Sequence, residues 1–197
     1  LAKALSDLSD EKLLARYQKK GDGKAFEVLV HRHERALYNF IYRFLGDREA
    51  AEDLFQDSFL RIIKGAKGYR QQSKFTTWLY TIARNICIDH MRRQKFRRAE
   101  SLDRPLGDDD DNRATMLNTV EGHERDGEGM VHDGQIRARL EGALAALNSD
   151  QREVFLMREN LGLPFKAIAA IVGCSENTVK SRMRYALENL REQLKVF

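Results

Sequence analysis

The chain has 197 residues, of which 42% are hydrophobic and 32% charged, with a formal net charge of +4. That is enough for one medium domain or two small ones, and the distribution of charge carries more information than so modest a sum. No apolar stretch is long enough to span a bilayer, no secretion signal is expected, and Cys87 and Cys174 lie too far apart for a paired zinc or disulfide spacing.

Only two prolines occur and β-branched alternation is nearly absent, so the expected class is all-α. The first residue, Leu1, is not Met, so the natural start is expected upstream. Ser9 to about Lys20 reads as a short helix with Leu13, Leu14 and Tyr17 on its apolar side. Gly21-Asp22-Gly23 breaks it. A longer helix is expected from Lys24 to about Leu45, because Phe26, Leu29, Val30, His33, Leu37, Phe40, Ile41 and Phe44 recur at helical spacing. Gly46 ends that helix and Asp47 caps the next. The five histidines do not cluster: His31 and His33 point to different sides of one helix, so no metal site and no cofactor are expected.

The third helix is expected from Arg48 to about Lys64, with Ala51, Leu54, Phe55, Ser58, Phe59, Ile62 and Ile63 lining its buried side. Asp53, Gln56, Asp57 and Arg61 fall at i, i+3, i+4 and i+8, one continuous polar face. These carboxylates have no neighbouring histidine or metal-ligand partner in sequence, so acid–base chemistry is not expected and the chain is not read as an enzyme. A loop rich in Gly, Lys, Arg and Gln follows to Ser73. A fourth helix is expected from Thr76 or Thr77, through Trp78, Leu79, Ile82, Ala83, Ile86 and Met91. Aromatic and basic residues are interleaved here: Lys67, Tyr69, Arg70, Ser73, Lys74 and Phe75 precede Arg84, Asn85, Asp89, Arg92 and Arg93. Cations at helical spacing can track a phosphate backbone, and each aromatic face can stack a base for about 1–3 kcal/mol. The combination suits unpaired DNA. Trp78 and Leu79 fit the apolar stripe and are expected in the core, whereas Phe75 and Tyr80 could serve either purpose.

Residues 99–134 carry many carboxylates, including Asp108 to Asp111, with recurring glycines and few large apolar groups; a flexible acidic linker is expected. The flanking segments must therefore be more basic than the whole. Helical periodicity resumes at Gln135, with Ile136, Leu140, Leu144 and Leu147. Ser149 or Asp150 is expected to cap a helix containing Val154, Phe155 and Met157, with Asp150 and Glu153 forming a capping box. Next come a short apolar helix after Pro164, a turn at Gly173, a cap at Ser175, and a longer helix. On that helix Val179, Met183, Ala186, Leu187, Leu190 and Leu194 fall on one side. Asn177, Lys180, Ser181 and Arg184 fall on the other, flanked by Glu176 and Tyr185. This is the layout of a helix-turn-helix, whose second helix reads duplex DNA in the major groove.

Together these segments resemble bacterial RNA polymerase sigma factors of the extracytoplasmic-function (ECF) group of the sigma-70 family. Residues 51–61, AEDLFQDSFLR, resemble its core-polymerase-binding helix. Residues 75–85, FTTWLYTIARN, resemble its promoter-melting segment, and residues 147–155, LNSDQREVF, with the helix-turn-helix, resemble its fourth conserved region. The resemblance implies two helical domains: region 2 over 1–98, a four-helix bundle, and region 4 over 135–197, joined by the linker. It implies that Asp53, Gln56, Asp57 and Arg61 dock on the clamp coiled coil of core RNA polymerase and that region 4 meets the flap. Lys67 to Lys74 would surround the capture loop for a flipped base of the −10 element. Arg84, Asn85, Asp89, Arg92 and Arg93 would follow the melted nontemplate strand and upstream duplex. Lys180, Ser181, Arg184 and Tyr185 would face the −35 element. Also implied are an anti-sigma partner, a bacterial cytoplasmic location and a linker that threads the polymerase; this linker departs from the family in its acidity, and Asp108 to Asp111 are expected to imitate nucleic-acid charge there. The competing expectation is a stand-alone helix-turn-helix regulator, which would bind a symmetric operator tightly without polymerase. A nuclease would need a metal-binding carboxylate cluster, and a metal-dependent cleavage assay separates that reading.

Overall fold

The computed structural model describes residues 5–102 and 138–195, and all regular structure among them is helical. Four helices form the first lobe: α1 (Asp10–Lys20), α2 (Gly23–Leu45), α3 (Arg48–Ala66) and α4 (Phe75–Leu102). Their starts are set by short polar side chains that accept otherwise unpaired amide hydrogens. Ser9 Oγ accepts from Lys12, Asp22 Oδ1 from Ala25 at 3.2 Å, and Asp47 Oδ1 from Ala50 at 3.1 Å. At the end of α2, Gly46 adopts φ 73°, a conformation that a Cβ would oppose, and its N–H donates to Tyr42 O. The first lobe's core holds Leu13, Leu14, Leu29, Leu37, Phe40, Ile41, Phe44, Ile62 and Leu79, all essentially without solvent contact. Each such side chain contributes about 1.5–3 kcal/mol by leaving water.

The start of α4 differs from expectation. It begins at Phe75, one or two residues early, because the Phe75 N–H finds a distant acceptor, Glu11 Oε1 at 3.1 Å. The helix also continues to Leu102, so the first residues assigned to the linker are helical. The remainder of the expected linker, Asp108 to Asp111 included, lies outside the described residues. Helix α3 likewise runs two residues further than expected, and Gln18 of α1 donates to the carbonyls of Ala66 and Tyr69 just beyond it. Ile63, expected on the buried side of α3, is 41% exposed. Cys87 is buried in the core, whereas Cys174 is half-buried in the second lobe.

The second lobe comprises α5 (138–146), α6 (Ser149–Phe155), α7 (Phe165–Val172) and α8 (Glu176–Lys195). Asn148, not Ser149 or Asp150, caps α6, accepting from Gln151 N at 2.8 Å. The expected capping box is absent because Glu153 is committed elsewhere. A single π-turn, Leu156–Asn160, continues α6. Pro164 sits one residue before α7, and Gly173 at φ 77° turns the chain toward α8. Ser175 Oγ accepts from Thr178 N at 3.1 Å. Val179, Met183, Ala186 and Leu190 of α8 are buried, but Leu187 and Leu194, expected beside them, are exposed. Only one side of α8 has a lobe to pack on, so the apolar stripe is narrower than its sequence.

The two lobes are docked. Helix α4 packs on α7, and α2 packs on α6 and its π-turn. Arg152 Nη1 donates to Phe44 O at 2.9 Å, and Arg84 of α4 grips Glu153 of α6. Among the described residues, no helix is long and apolar enough to cross a membrane.

Candidate nucleic-acid and polymerase interfaces

The polar face of α8 is built by subtraction. Once its buried stripe is fixed, Asn177, Lys180, Ser181, Arg184 and Tyr185 must face solvent, and all five do. Lys180 pairs with Glu176 at 2.8 Å, and the Arg184 guanidinium lies 4.9 Å from the centroid of the Tyr185 ring. The Lys180 pair is exposed and loosely held, so a stronger anion can displace Glu176 at little cost. The helix thus offers two cations, an amide and a hydroxyl on one unobstructed side. These are the groups that bond phosphates and base edges.

On the first lobe the cationic loop and α4 divide into two sets. Lys67, Arg70, Ser73 and Lys74 are exposed around the loop, and Asn85, Arg92 and Arg93 are exposed along α4. Tyr69 is half-buried, its ring 5.0 Å from Trp78 and its hydroxyl donating to Ser73 O. That bond fixes the loop over the ring. Asp89 is partly exposed. Two expected contacts are placed differently. Phe75 is 2% exposed, packed beside His33, Tyr69 and Trp78, so it belongs to the core rather than to the surface. Tyr80 is also core, edge-on to Phe40, and burial raises its hydroxyl pKa. Trp78 is half-buried rather than fully enclosed, its ring edge 3.0 Å from where a Cβ on Gly65 would stand.

Arg84 is the second departure. Its Nε and Nη2 donate to the two oxygens of Glu153 at 2.6 and 3.2 Å, a bidentate pair joining the lobes. Burial pushes the Glu153 carboxyl above the usual range, against the opposing pull of Arg84. Burial likewise pulls the half-buried Arg152 guanidinium below its ordinary value.

Helix α3 presents Asp53, Gln56 and Arg61 to solvent, with Asp57 partly exposed and paired to Arg61 at 3.1 Å. Beside them stand two exposed apolar side chains, Leu60, which periodicity did not single out, and Ile63, which it placed on the buried side. Exposed apolar side chains bordered by polar and charged ones have the composition of a protein-docking surface, an apolar centre with a polar rim. A further feature missed in the sequence is a cleft of about 460 Å³ lined by Arg32, Arg35, Asn39 and Arg43 of α2 and by Asn160 and Leu161. Its signal was legible as i, i+3, i+7 and i+11 on the outer side of α2.

Comparison with known proteins gives two family matches: Sigma-70 region 2 over residues 29–97 and Sigma-70, region 4 over residues 137–190. The chain is similar to the RNA polymerase sigma-H factor of Pseudomonas aeruginosa, 30% identical and covering 96% of both chains. It is 32% identical to the ECF RNA polymerase sigma factor SigC of Mycobacterium tuberculosis, covering 87% of this chain and 84% of that one. Among solved structures, the sigma factor RpoE of Bartonella quintana, in complex with the anti-sigma factor NepR, matches with a TM-score of 0.68 at 26% identity. That match covers 88% of this chain and 98% of RpoE. CnrH, in complex with the cytosolic domain of CnrY, shares the fold with the same TM-score at 24% identity, covering 95% of this chain and 97% of CnrH.

Proposed function

The chain is a sigma factor of the ECF group of the sigma-70 family, a non-enzymatic initiator of transcription with RNA polymerase, and from that premise we propose how its surfaces divide the work. Region 4 reads the −35 element as duplex through Asn177, Lys180, Ser181, Arg184 and Tyr185 of α8. Region 2 captures the −10 element through the loop around Lys67, Tyr69, Arg70, Ser73 and Lys74. It then follows the nontemplate strand along α4 through Arg84, Asn85, Asp89, Arg92 and Arg93. Asp53, Gln56, Asp57 and Arg61 of α3 hold the clamp coiled coil of core polymerase, with Leu60 and Ile63 as apolar contacts beside them, and region 4 meets the flap. The observation that carries this reading is the free side of α8, where all five expected contact residues stand exposed opposite the buried stripe.

Melting is driven by differential binding. Region 2 offers stacking and ion pairing only to an unpaired strand, so its binding free energy offsets the cost of unstacking, a few kcal/mol per base. Polymerase spaces the two lobes, which turns two weak contacts into one strong one through effective concentration. The protein acts where polymerase acts, in the bacterial cytoplasm. Its regulator is an anti-sigma factor, the class of partner with which the similar RpoE of Bartonella quintana was crystallised.

The test is to mix the chain with core polymerase and a genomic promoter library and to sequence transcript starts. A shared motif upstream of those starts is expected. Starts no different from core polymerase alone would refute the proposal, and tight binding to a symmetric operator without polymerase would favour a stand-alone regulator.

A further inference from the structure

Glu153 is the only fully buried charged side chain among the described residues, and it is held by cations from both lobes. Arg84 of α4 meets it with two hydrogen bonds, at 2.6 and 3.2 Å. Arg182 of α8 approaches the same carboxylate at 3.6 Å and is also paired with Asp150. Arg84 is thus pinned by an acidic group of region 4 while being one of the residues read above as a contact for the nontemplate strand. A guanidinium fork accepts a carboxylate or a phosphate with the same planar geometry, so the two anions compete for one donor set.

The interface is also not built for maximal stability. Arg152 donates to Phe44 O, Ala145 O and Leu147 O but leaves its buried Nε without a partner. A buried donor left unpaired keeps its desolvation cost, so the docked interface is weaker than its bonds alone suggest and another anion can compete for it.

We propose that Glu153 is an internal anion standing in for nucleic acid: in the free chain region 4 docks on region 2 and masks Arg84 until a DNA strand displaces the carboxylate. This rests on the reading that Arg84 faces the nontemplate strand. The consequence is linkage: lobe docking weakens strand binding, and strand binding must separate the lobes by the same factor. If nine-tenths of the free chain is docked, unmasking strengthens strand binding about tenfold.

The test uses the full chain, its Glu153→Gln variant, and a fluorescein-labelled single-stranded DNA of nontemplate sequence taken from the mapped promoters. Small-angle scattering should show a compact wild-type chain that expands as the strand is added, and a Glu153→Gln variant expanded from the outset. Fluorescence anisotropy should show the variant binding the strand about tenfold more tightly. An extended free wild-type chain, equal affinities, or binding by neither protein overturns the inference. Should Glu153→Gln fail to fold by circular dichroism, wild-type scattering decides alone: a chain that stays compact with strand bound is the overturning result. A wild-type chain that directs polymerase to a shared promoter motif while any of these results holds sinks only the masking; loss of that motif sinks the functional reading itself.

Discussion

Replacing Phe75 by alanine separates a core role from a base-stacking role. The side chain is 2% exposed, and its ring lies 5.4 Å from that of His33 and 5.9 Å from that of Trp78. An aromatic ring buries about 150–250 Å², worth about 4–6 kcal/mol at 25 cal/mol per Å², and measured Phe→Ala losses in cores run about 3–5 kcal/mol. Against a domain stability of about 5–15 kcal/mol, most of the margin of region 2 would go. Urea unfolding followed by tryptophan emission is the assay. Trp78 is the one tryptophan in the chain and touches the Phe75 cluster, so its signal reports region 2 without contribution from region 4. With a denaturant slope of about 2 kcal/mol per M, we predict that Phe75→Ala lowers the midpoint by about 1.5–2.5 M. Lys74→Ala, exposed on the neighbouring loop, should leave the midpoint alone and flatten the salt dependence of single-strand binding by about 0.7 in log–log slope. The reasoning is refuted if Phe75→Ala keeps the wild-type midpoint and loses strand affinity, for the ring would then be reaching a base.

Three other outcomes are expected. Asp57→Ala removes one partner of an exposed ion pair, so thermal stability should change by less than about 0.5 kcal/mol, while affinity for core polymerase should fall by about 1–2 kcal/mol; equal losses in both would make α3 structural only. In the polymerase complex, Lys180→Ala should weaken promoter binding uniformly across sequences and lower the salt slope by about 0.9, whereas Arg184→Ala should relax preference at one base pair by about 1–3 kcal/mol; a selection experiment over randomised −35 sites tells them apart. Burial pushes the Asp10 carboxyl up, but hydrogen bonds and charge from His33 and Arg32 outweigh it and hold the carboxyl below its ordinary value. Its stabilisation is therefore present above about pH 4 and lost as pH falls through the lowered value, so the deficit of Asp10→Asn, measured by urea unfolding, should be seen above that range and vanish in acid.

What the sequence disclosed follows from how far each signal reaches. Caps and breaks are local: Asp47, Gly46, Gly173 and Ser175 act as their spacing predicts, while Ser9, read as the first helical residue, and Asp22, read as part of a break, serve as caps. The exposed polar face of α8 was equally legible, because a helix with one buried stripe has no choice about its other side. Errors gather where a partner lies far away in sequence. Phe75 starts α4 because of Glu11, and Glu153 forgoes its capping box because Arg84 takes both of its oxygens. Leu187 and Leu194 carry the right period for a core, but period alone does not reveal where the neighbouring lobe ends. The π-turn after α6 left no compositional mark at all.

The two cysteines give the molecule a built-in attachment point. Burial pushes the Cys87 thiol up to about 12, leaving almost no thiolate to react, whereas Cys174 is partly open immediately before the cap of α8. A maleimide dye should therefore choose Cys174 and report from the turn ahead of α8, the helix proposed to read duplex DNA, in an otherwise unaltered chain. Engagement of a promoter could be watched in real time without engineering a single codon.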